Sequence, residues 1–284
     1  MIFRPLPDTE SRYASLLTKD VDVIWTDRPN HILKALDNPD VKVLRSEGRG
    51  ALTTFLNNAK PPLDDLRVRK ALQLAFDTDL FVNATRKGVN PTIYHPFGAD
   101  FECEGFAYPP VDLERARQLI ADYGKPVKVT IVHTTTARGR EFALISQQMW
   151  RKIGVEVEMN PVDQTTLIRK VVTGDYVISG WRMVHELDEF LDIQMVGTFH
   201  SKSPANYAHY SSEEMDRLVM AGRTAATREE RAKHYCGVAK KIVEDVPILY
   251  RGGNVSHVIF QPDVMGLPEP RAGLVNTVGV WLDR

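Results

Sequence analysis

The stretch VKVTIVHTTTARGREFALISQQMWRKIGVEVEMNPVDQTTLIRKVVTGDYVISGW, residues 127–181, decides the fold. Val127 to His133 is a short β-branched run held between Pro126 and three threonines, and it reads as a strand. From Gly139 to Ile153, Phe142, Ile145, Met149 and Ile153 recur on one helical face, and Gly154 stops the run. Val155 to Met159 alternates Val, Glu, Val, Glu, Met, the period of a half-buried strand. Asp163 to Thr173, closed by Gly174, reads as a second helix, and Asp175 to Trp181 as a third strand. A β-α-β-α-β alternation argues for α/β layering with parallel pairing. Ligands of such sheets gather outside the carboxyl ends of the strands. Two clusters stand there, His133-Thr134-Thr135-Thr136 and Gly180-Trp181-Arg182.

Upstream, Asp8 to Lys19 and Pro29 to Leu36 read as helices, and Val21 to Trp25, Val41 to Arg45 and Ala51 to Asn57 as strands. Pro61-Pro62 breaks the chain, and Asp64-Asp65 cap a helix through Asp77. Lys87 to Pro110 carries four prolines and no periodicity, a long irregular excursion. Asp112 then opens a helix that Gly124 and Pro126 stop. Downstream, Ser211 with Glu214 and Thr227 with Glu230 have capping-box spacing. Pro247 ends the second of these helices, and Ile248 to Arg251 and Val255 to Phe260 read as two strands.

The composition is globular: 284 residues, 43% hydrophobic and 26% charged, with a formal net charge of -1. So even a balance argues against a nucleic-acid binder that works through bulk positive charge. Cys103 and Cys236 are too few for a disulfide scaffold. They read as two unpaired, partly buried thiols, with one long-range disulfide as the alternative. No run approaches the length of a membrane helix, and Met1-Ile2-Phe3-Arg4-Pro5 has no signal-peptide pattern.

Catalytic motifs are missing. No GxSxG elbow, GxxxxGK[ST] loop or GxGxxG fingerprint occurs. His185-Glu186-Leu187-Asp188-Glu189 begins like a zinc-protease helix, but its second histidine is Glu189. His133 and His185 lie where strands meet the crevice, and each reads equally well as a structural histidine. Arg182 is a stronger candidate, because a guanidinium at a strand end can present its fork to a carboxylate. Trp181 reads either as core or as a stacking wall for a ligand. Arg138, opening a helix, reads either as a solvated side chain or as a ligand contact.

The order of several blocks resembles a known family. Phe55-Leu56-Asn57, Pro61-Pro62-Leu63-Asp64-Asp65-Leu66-Arg67-Val68-Arg69-Lys70-Ala71-Leu72 and Ala75-Phe76-Asp77 form the first block. Asp112 to Ile120, Met149 to Val157 and Gly174 to Trp181 continue it. Asn206-Tyr207, Tyr210-Ser211, Glu214 to Leu218, Arg228 to Tyr235 and Asp245-Val246-Pro247 complete it. Each block is weak alone, but in this order they resemble the bacterial extracellular solute-binding proteins of family 5, the peptide/nickel-type receptors of ABC importers.

The resemblance implies an α/β, periplasmic-binding-protein-like fold (type II, cluster C-like), a mixed sheet flanked by helices, plus a partial first lobe. Residues 51–245 correspond to the second, ligand-binding lobe, and 1–50 and 246–284 to pieces of the first. The chain thus matches the C-terminal portion of a receptor, without the family's leader and the start of its first lobe. The implied function is non-enzymatic: capture of a short peptide, opine-like compound or oligosaccharide, delivered to a membrane permease outside the cytoplasm, with no cofactor or metal. The expected site is His133, Thr134, Thr135, Arg138, Trp181, Arg182, His185 and Glu186. Some members hold peptide termini with an Arg three before the Trp and an Asp three after it; here these are Ile178 and Val184, which speaks against terminal recognition of an oligopeptide. The alternatives are a non-transporting fragment that self-associates through exposed first-lobe surface and, more remotely, a metal-dependent hydrolase using His185 and Glu186.

Overall fold

The computed structural model describes residues 1–89, 103, 107–183, 188–270 and 275–284, with backbone only at 46–50, 188–191 and 254–256. The elements run α1 (Thr9–Leu17), β1 (Val23–Thr26), α2 (Pro29–Leu36), β2 (Lys42–Leu56), α3 (Leu66–Leu74), α4 (Thr78–Arg86), α5 (Leu113–Tyr123), β3 (Lys128–Thr134) and α6 (Ala137–Arg151). They continue with β4 (Glu156–Val162), α7 (Gln164–Val172), β5 (Ile178–Met183), α8 (Asp188–Phe199), α9 (Glu213–Thr224), α10 (Arg228–Asp245), β6 (Ile248–Phe260), β7 (Val264–Met265) and β8 (Trp281–Leu282).

Helix starts follow local chemistry. Asp8, Asp65, Asp77, Asp112, Thr136, Asp163 and Thr227 each accept a backbone N–H of the first turn of the helix they precede, worth about 1 kcal/mol apiece. In α2 a proline at the first helical position replaces the cap. The expected cap at Ser211 belongs instead to Ser212, whose hydroxyl accepts from the Met215 N–H. The helix expected from Asp65 to Asp77 is two helices, because Asp77 caps α4 with its carboxylate on the Leu80 N–H. Neither α4 nor α8 was expected.

Six strands form one mixed sheet in the order β1-β6-β2-β5-β3-β4. The β3–β4 and β3–β5 pairs are parallel, as the alternation predicts, and the β5–β2, β2–β6 and β6–β1 pairs are antiparallel. Two corrections concern the long strands. Val41 to Arg45 and Ala51 to Asn57, read as separate, belong to one 15-residue strand, β2. Ile248 to Arg251 and Val255 to Phe260 likewise belong to the 13-residue β6. The glycines Gly48, Gly50, Gly252 and Gly253 interrupt the β-forming pattern in the sequence. Mutual pairing of the two strands overrides that weakness, at the cost of register shifts between Ser46 and Gly50 and between Ala51 and Thr53.

The sheet is covered on both faces. Val129, Ile131 and Ile178 point into a core shared with Val68, Leu72, Phe81, Phe142 and Trp150 of α3, α4 and α6. Val132, Ile248 and Tyr250 point the other way, toward Leu167, Val171, Met215, Tyr235 and Val238 of α7, α9 and α10. At the far ends of β2 and β6 lie two smaller clusters, built on Tyr13, Leu16, Ile24 and Ile259 and on Val258, Phe260 and Val264. The Trp150 indole N–H donates to the Leu72 carbonyl at 3.0 Å and ties α6 to α3.

Several motif residues are structural pins. Arg69 is buried and donates to the carbonyls of Leu63, Asp64 and Asp245. The Tyr210 hydroxyl bonds the Asp245 carboxylate, so three distant blocks meet at the end of α10. The Asn57 amide donates to the Gly174 and Tyr176 carbonyls at 3.2 and 3.0 Å. The reading of two unpaired thiols is overturned: Cys103 and Cys236 form a disulfide, with 5.4 Å between their Cα atoms. Sequence separation had counted against a bond that the packing of residue 103 on α10 makes short in space.

Candidate ligand-binding site

A cavity of about 860 Å³ opens at the carboxyl ends of β3 and β5. One wall comes from the end of β3, the first residues of α6, Gly180 to Arg182 of β5, the end of α4 and Arg251 of β6. The opposite wall is Pro7 to Thr9 and Arg12 around the start of α1, with Trp25 of β1 and Asp27 and Arg28 after it. Of the eight residues expected at the site, His133, Thr134, Thr135, Arg138, Trp181 and Arg182 line this one cavity. His185 and Glu186, like Val184, lie outside the described residues.

The β3–α6 turn is tight. A Cβ at Gly139 would stand 2.2 Å from the Thr134 carbonyl oxygen, so only glycine lets the helix start there. Thr136 caps α6 through the Gly139 N–H and shares a 2.7 Å hydrogen bond with the Thr134 hydroxyl. His133 is buried, its Nδ1 2.9 Å from the Thr134 carbonyl. A carbonyl only accepts, so Nδ1 donates its proton to Thr134.

Trp181 is half-buried. Its ring lies 5.7 Å from Phe55 and 6.0 Å from Tyr207, so it is both core and cavity wall. Arg182 sits with its guanidinium carbon 5.5 Å from the Trp25 ring centre, a cation–π contact that reaches the opposite wall. Two ion pairs also bridge the walls. Arg28 grips Glu141 with both terminal nitrogens, at 3.2 and 3.3 Å, and Arg138 pairs with the buried Asp27.

Sequence reading missed Arg28, Glu141, Arg86 and Arg251. Glu141 lies one turn after Arg138 and could have been suspected from that spacing. Arg86 and Arg251 had no local signal, since only the packing of α4 on β6 brings them to the cavity. Arg251 lies over the Phe142 ring at 4.1 Å and donates to the Thr53 carbonyl at 2.5 Å. Burial lowers the Arg86 pKa to about 10, helped by repulsion from Arg28 and opposed by Glu141. Burial also lowers that of Arg251 well below its ordinary value, with Arg86 and Arg138 adding repulsion. Arg86 still carries its proton at neutral pH. Ile178, where some members of the resembled family have arginine, is fully buried core.

Among the described residues, no three His, Cys, Asp or Glu side chains converge as a metal site would need, and no helix is long and apolar enough to cross a membrane.

Comparison with known proteins gives one answer. Heme-binding protein A of Haemophilus influenzae is 24% identical over 298 residues, covering all of this chain and 54% of its own length. The periplasmic oligopeptide-binding protein OppA of Salmonella typhimurium is 30% identical, covering 84% of this chain and 46% of its own. The chain thus spans about half the length of the curated relatives it matches. Among solved structures, the periplasmic binding protein DppA of Helicobacter pylori in complex with the peptide STSA superposes with a TM-score of 0.87 at 21% identity, over 99% of this chain and 56% of that one. NikA of Staphylococcus aureus in complex with Ni(L-His)2 gives 0.86 at 16% identity, over 97% and 60%. These two establish a shared fold of the periplasmic-binding type. The sequence profile described as "Bacterial extracellular solute-binding proteins, family 5 Middle" matches residues 1–192, more than half of the sequence, and on that match the chain belongs to the family 5 bacterial extracellular solute-binding proteins.

Proposed function

We propose that this chain is solute-capturing machinery of an ABC importer. It binds a small polar solute, such as a short peptide, an opine-like compound or an oligosaccharide, between two lobes that close, and passes it unchanged to a membrane permease. The observation that carries this reading is the cavity of about 860 Å³, whose polar walls come from two groups of elements bridged by ion pairs. Its size is that of a small-molecule site. His133, Thr134, Thr135, Arg138, Trp181 and Arg182 are the proposed contacts, with His185 and Glu186, which follow β5 in the sequence, added to them. Residues 51–245 form the proposed ligand-binding lobe, and 1–50 with 246–284 share the other. The separate apolar clusters at the two ends of β2 and β6, and the irregular register between them, support a hinge on those strands. The Cys103–Cys236 disulfide fits the oxidising periplasmic or extracellular setting of the proposal.

A thermal-shift screen of peptides, opines and sugars at millimolar concentration tests it. At least one solute raises the melting temperature, and Arg182→Ala removes that shift. A shift unchanged in the variant refutes the site, and no shift with any solute refutes capture. A second reading rests on the exposure of Met1, Ile2, Phe3, Val278 and Trp281: the chain self-associates through apolar surface of the first lobe. A monomer mass at every concentration in sedimentation or sizing removes it.

A further inference from the structure

Seven guanidinium groups line the cavity against three carboxylates, those of Asp8, Asp27 and Glu141. The carboxylates are all engaged. Asp8 caps α1, Asp27 pairs with Arg138, and Glu141 takes Arg28 in a two-pronged contact. Arg12 is spent on the carbonyls of Leu6, Pro7 and Trp25, and Arg140 on that of Thr135. Three cations remain. Among the described residues no carboxylate lies within ion-pair distance of Arg86, Arg182 or Arg251.

Two of the three are deeply placed. Arg86 is 3% exposed and Arg251 is 5% exposed, and the Nε of each has no hydrogen-bond partner among the described residues. An unpaired buried cation is costly, and an apolar residue of similar volume would serve packing better. The end of α4 gives Arg86 some compensation through the helix dipole, but no acceptor for Nε. The first turn of α6 also faces the cavity, with Ala137 and Arg138 on its wall, and adds a positive helix end to the same space. Around these charges stand Trp25, Trp181, Phe81 and Leu52, so the complement is organic and not a bare ion.

We infer that the captured solute is an organic anion carrying at least two negative charges, with one acid group received by Arg86 and Arg251 and the other by Arg182. This rests on the solute-capture reading and narrows it. Carboxylates and phosphates share the necessary chemistry: charged oxygens that accept from guanidinium N–H groups in paired hydrogen bonds.

The test is calorimetric titration of the chain with four probes: the dipeptide Glu-Glu, fructose 1,6-bisphosphate, tri-alanine and maltose. The acidic probes are expected to bind at least tenfold more tightly than the neutral ones at low ionic strength, and to weaken as salt rises from about 20 to about 200 mM. Whichever acidic probe binds more tightly identifies the acid as carboxylate or phosphate. Arg86→Met and Arg182→Met should each raise the Kd of that probe tenfold or more and leave any neutral-probe binding unchanged, with circular dichroism and melting temperature showing that the variants fold. Neutral probes that bind as tightly as acidic ones overturn the inference while leaving capture intact. Unchanged acidic-probe affinity in both variants also overturns it. No heat with any of the four overturns capture and the inference together.

Discussion

Removing the Cys103–Cys236 disulfide should lower stability by an amount the chain length sets. The bond joins residues 133 positions apart. In the chain-entropy treatment, closing a loop of that length in the unfolded state is worth about 5 kcal/mol at 25 °C. For a chain of this size, unfolding entropy near 60 °C converts this to a drop in melting temperature of roughly 8 °C. The site is also a packing point, since Cys103 lies against the core that holds Tyr235, Val238 and Tyr250. The clean perturbation is the double variant Cys103→Ala with Cys236→Ala, which leaves no lone thiol to oxidise. Urea unfolding followed by circular dichroism gives the free energy, and differential scanning calorimetry gives the melting temperature. A denatured wild-type sample treated with Ellman's reagent under non-reducing conditions should show no free thiol. Two free thiols, or a double variant within about 1 kcal/mol of wild type, would refute the reasoning.

Three other outcomes follow from named contacts. Trp150→Phe removes the donor to the Leu72 carbonyl and leaves a gap in a fully buried position; a loss of about 3 kcal/mol is expected in urea unfolding, and a loss under about 1 kcal/mol would contradict the role assigned to it. Gly180→Ala puts a methyl 2.8 Å from the Phe142 ring and 3.4 Å from Arg251; a cost of about 1 to 3 kcal/mol is expected, read by thermal melting, and an unchanged melting temperature would show that the ring yields freely. His257 has its pKa lowered from 6.5 to about 4, by burial first and by Arg45 second. The unfolded chain therefore takes up this proton before the folded one does, so its contribution is intact above pH 6.5 and lost as pH falls toward 4. His257→Gln should flatten the pH dependence of unfolding across that window, and an identical slope in both proteins would exclude His257 as its source.

The β-α-β-α-β core was legible because its apolar periods and caps are local. Asp65, Asp112 and Thr227 cap the helices they were read to open. The long strands were not legible, because Gly48, Gly50, Gly252 and Gly253 break the β pattern and only the partner strand restores it. The crevice was found from the rule that ligands gather at strand ends, which led to His133, Trp181 and Arg182. Arg86 and Arg251 escaped because their importance is a relation between α4 and β6, 165 positions apart, and not a property of either segment. The disulfide escaped for the same reason: a pair of cysteines carries no pattern until folding brings its members together.

The strand order carries a consequence for how the molecule comes into being. β6 lies between β1 and β2, yet it begins at Ile248, after both of them and all ten helices of the described residues have been synthesised. On the ribosome, β1 and β2 therefore emerge with the edges that will face each other across β6 still unpaired. The widest-separated pairings, such as Val23 with Phe260 and Lys42 with Phe260, can close only once Phe260 has emerged. Contacts of such long sequence separation slow folding and prolong exposure of strand edges to aggregation. A nascent chain halted before Ile248 would hold all ten described helices and lack the strand that zips the sheet together, which makes the segment Ile248–Phe260 the trigger for assembly of β1 with β2.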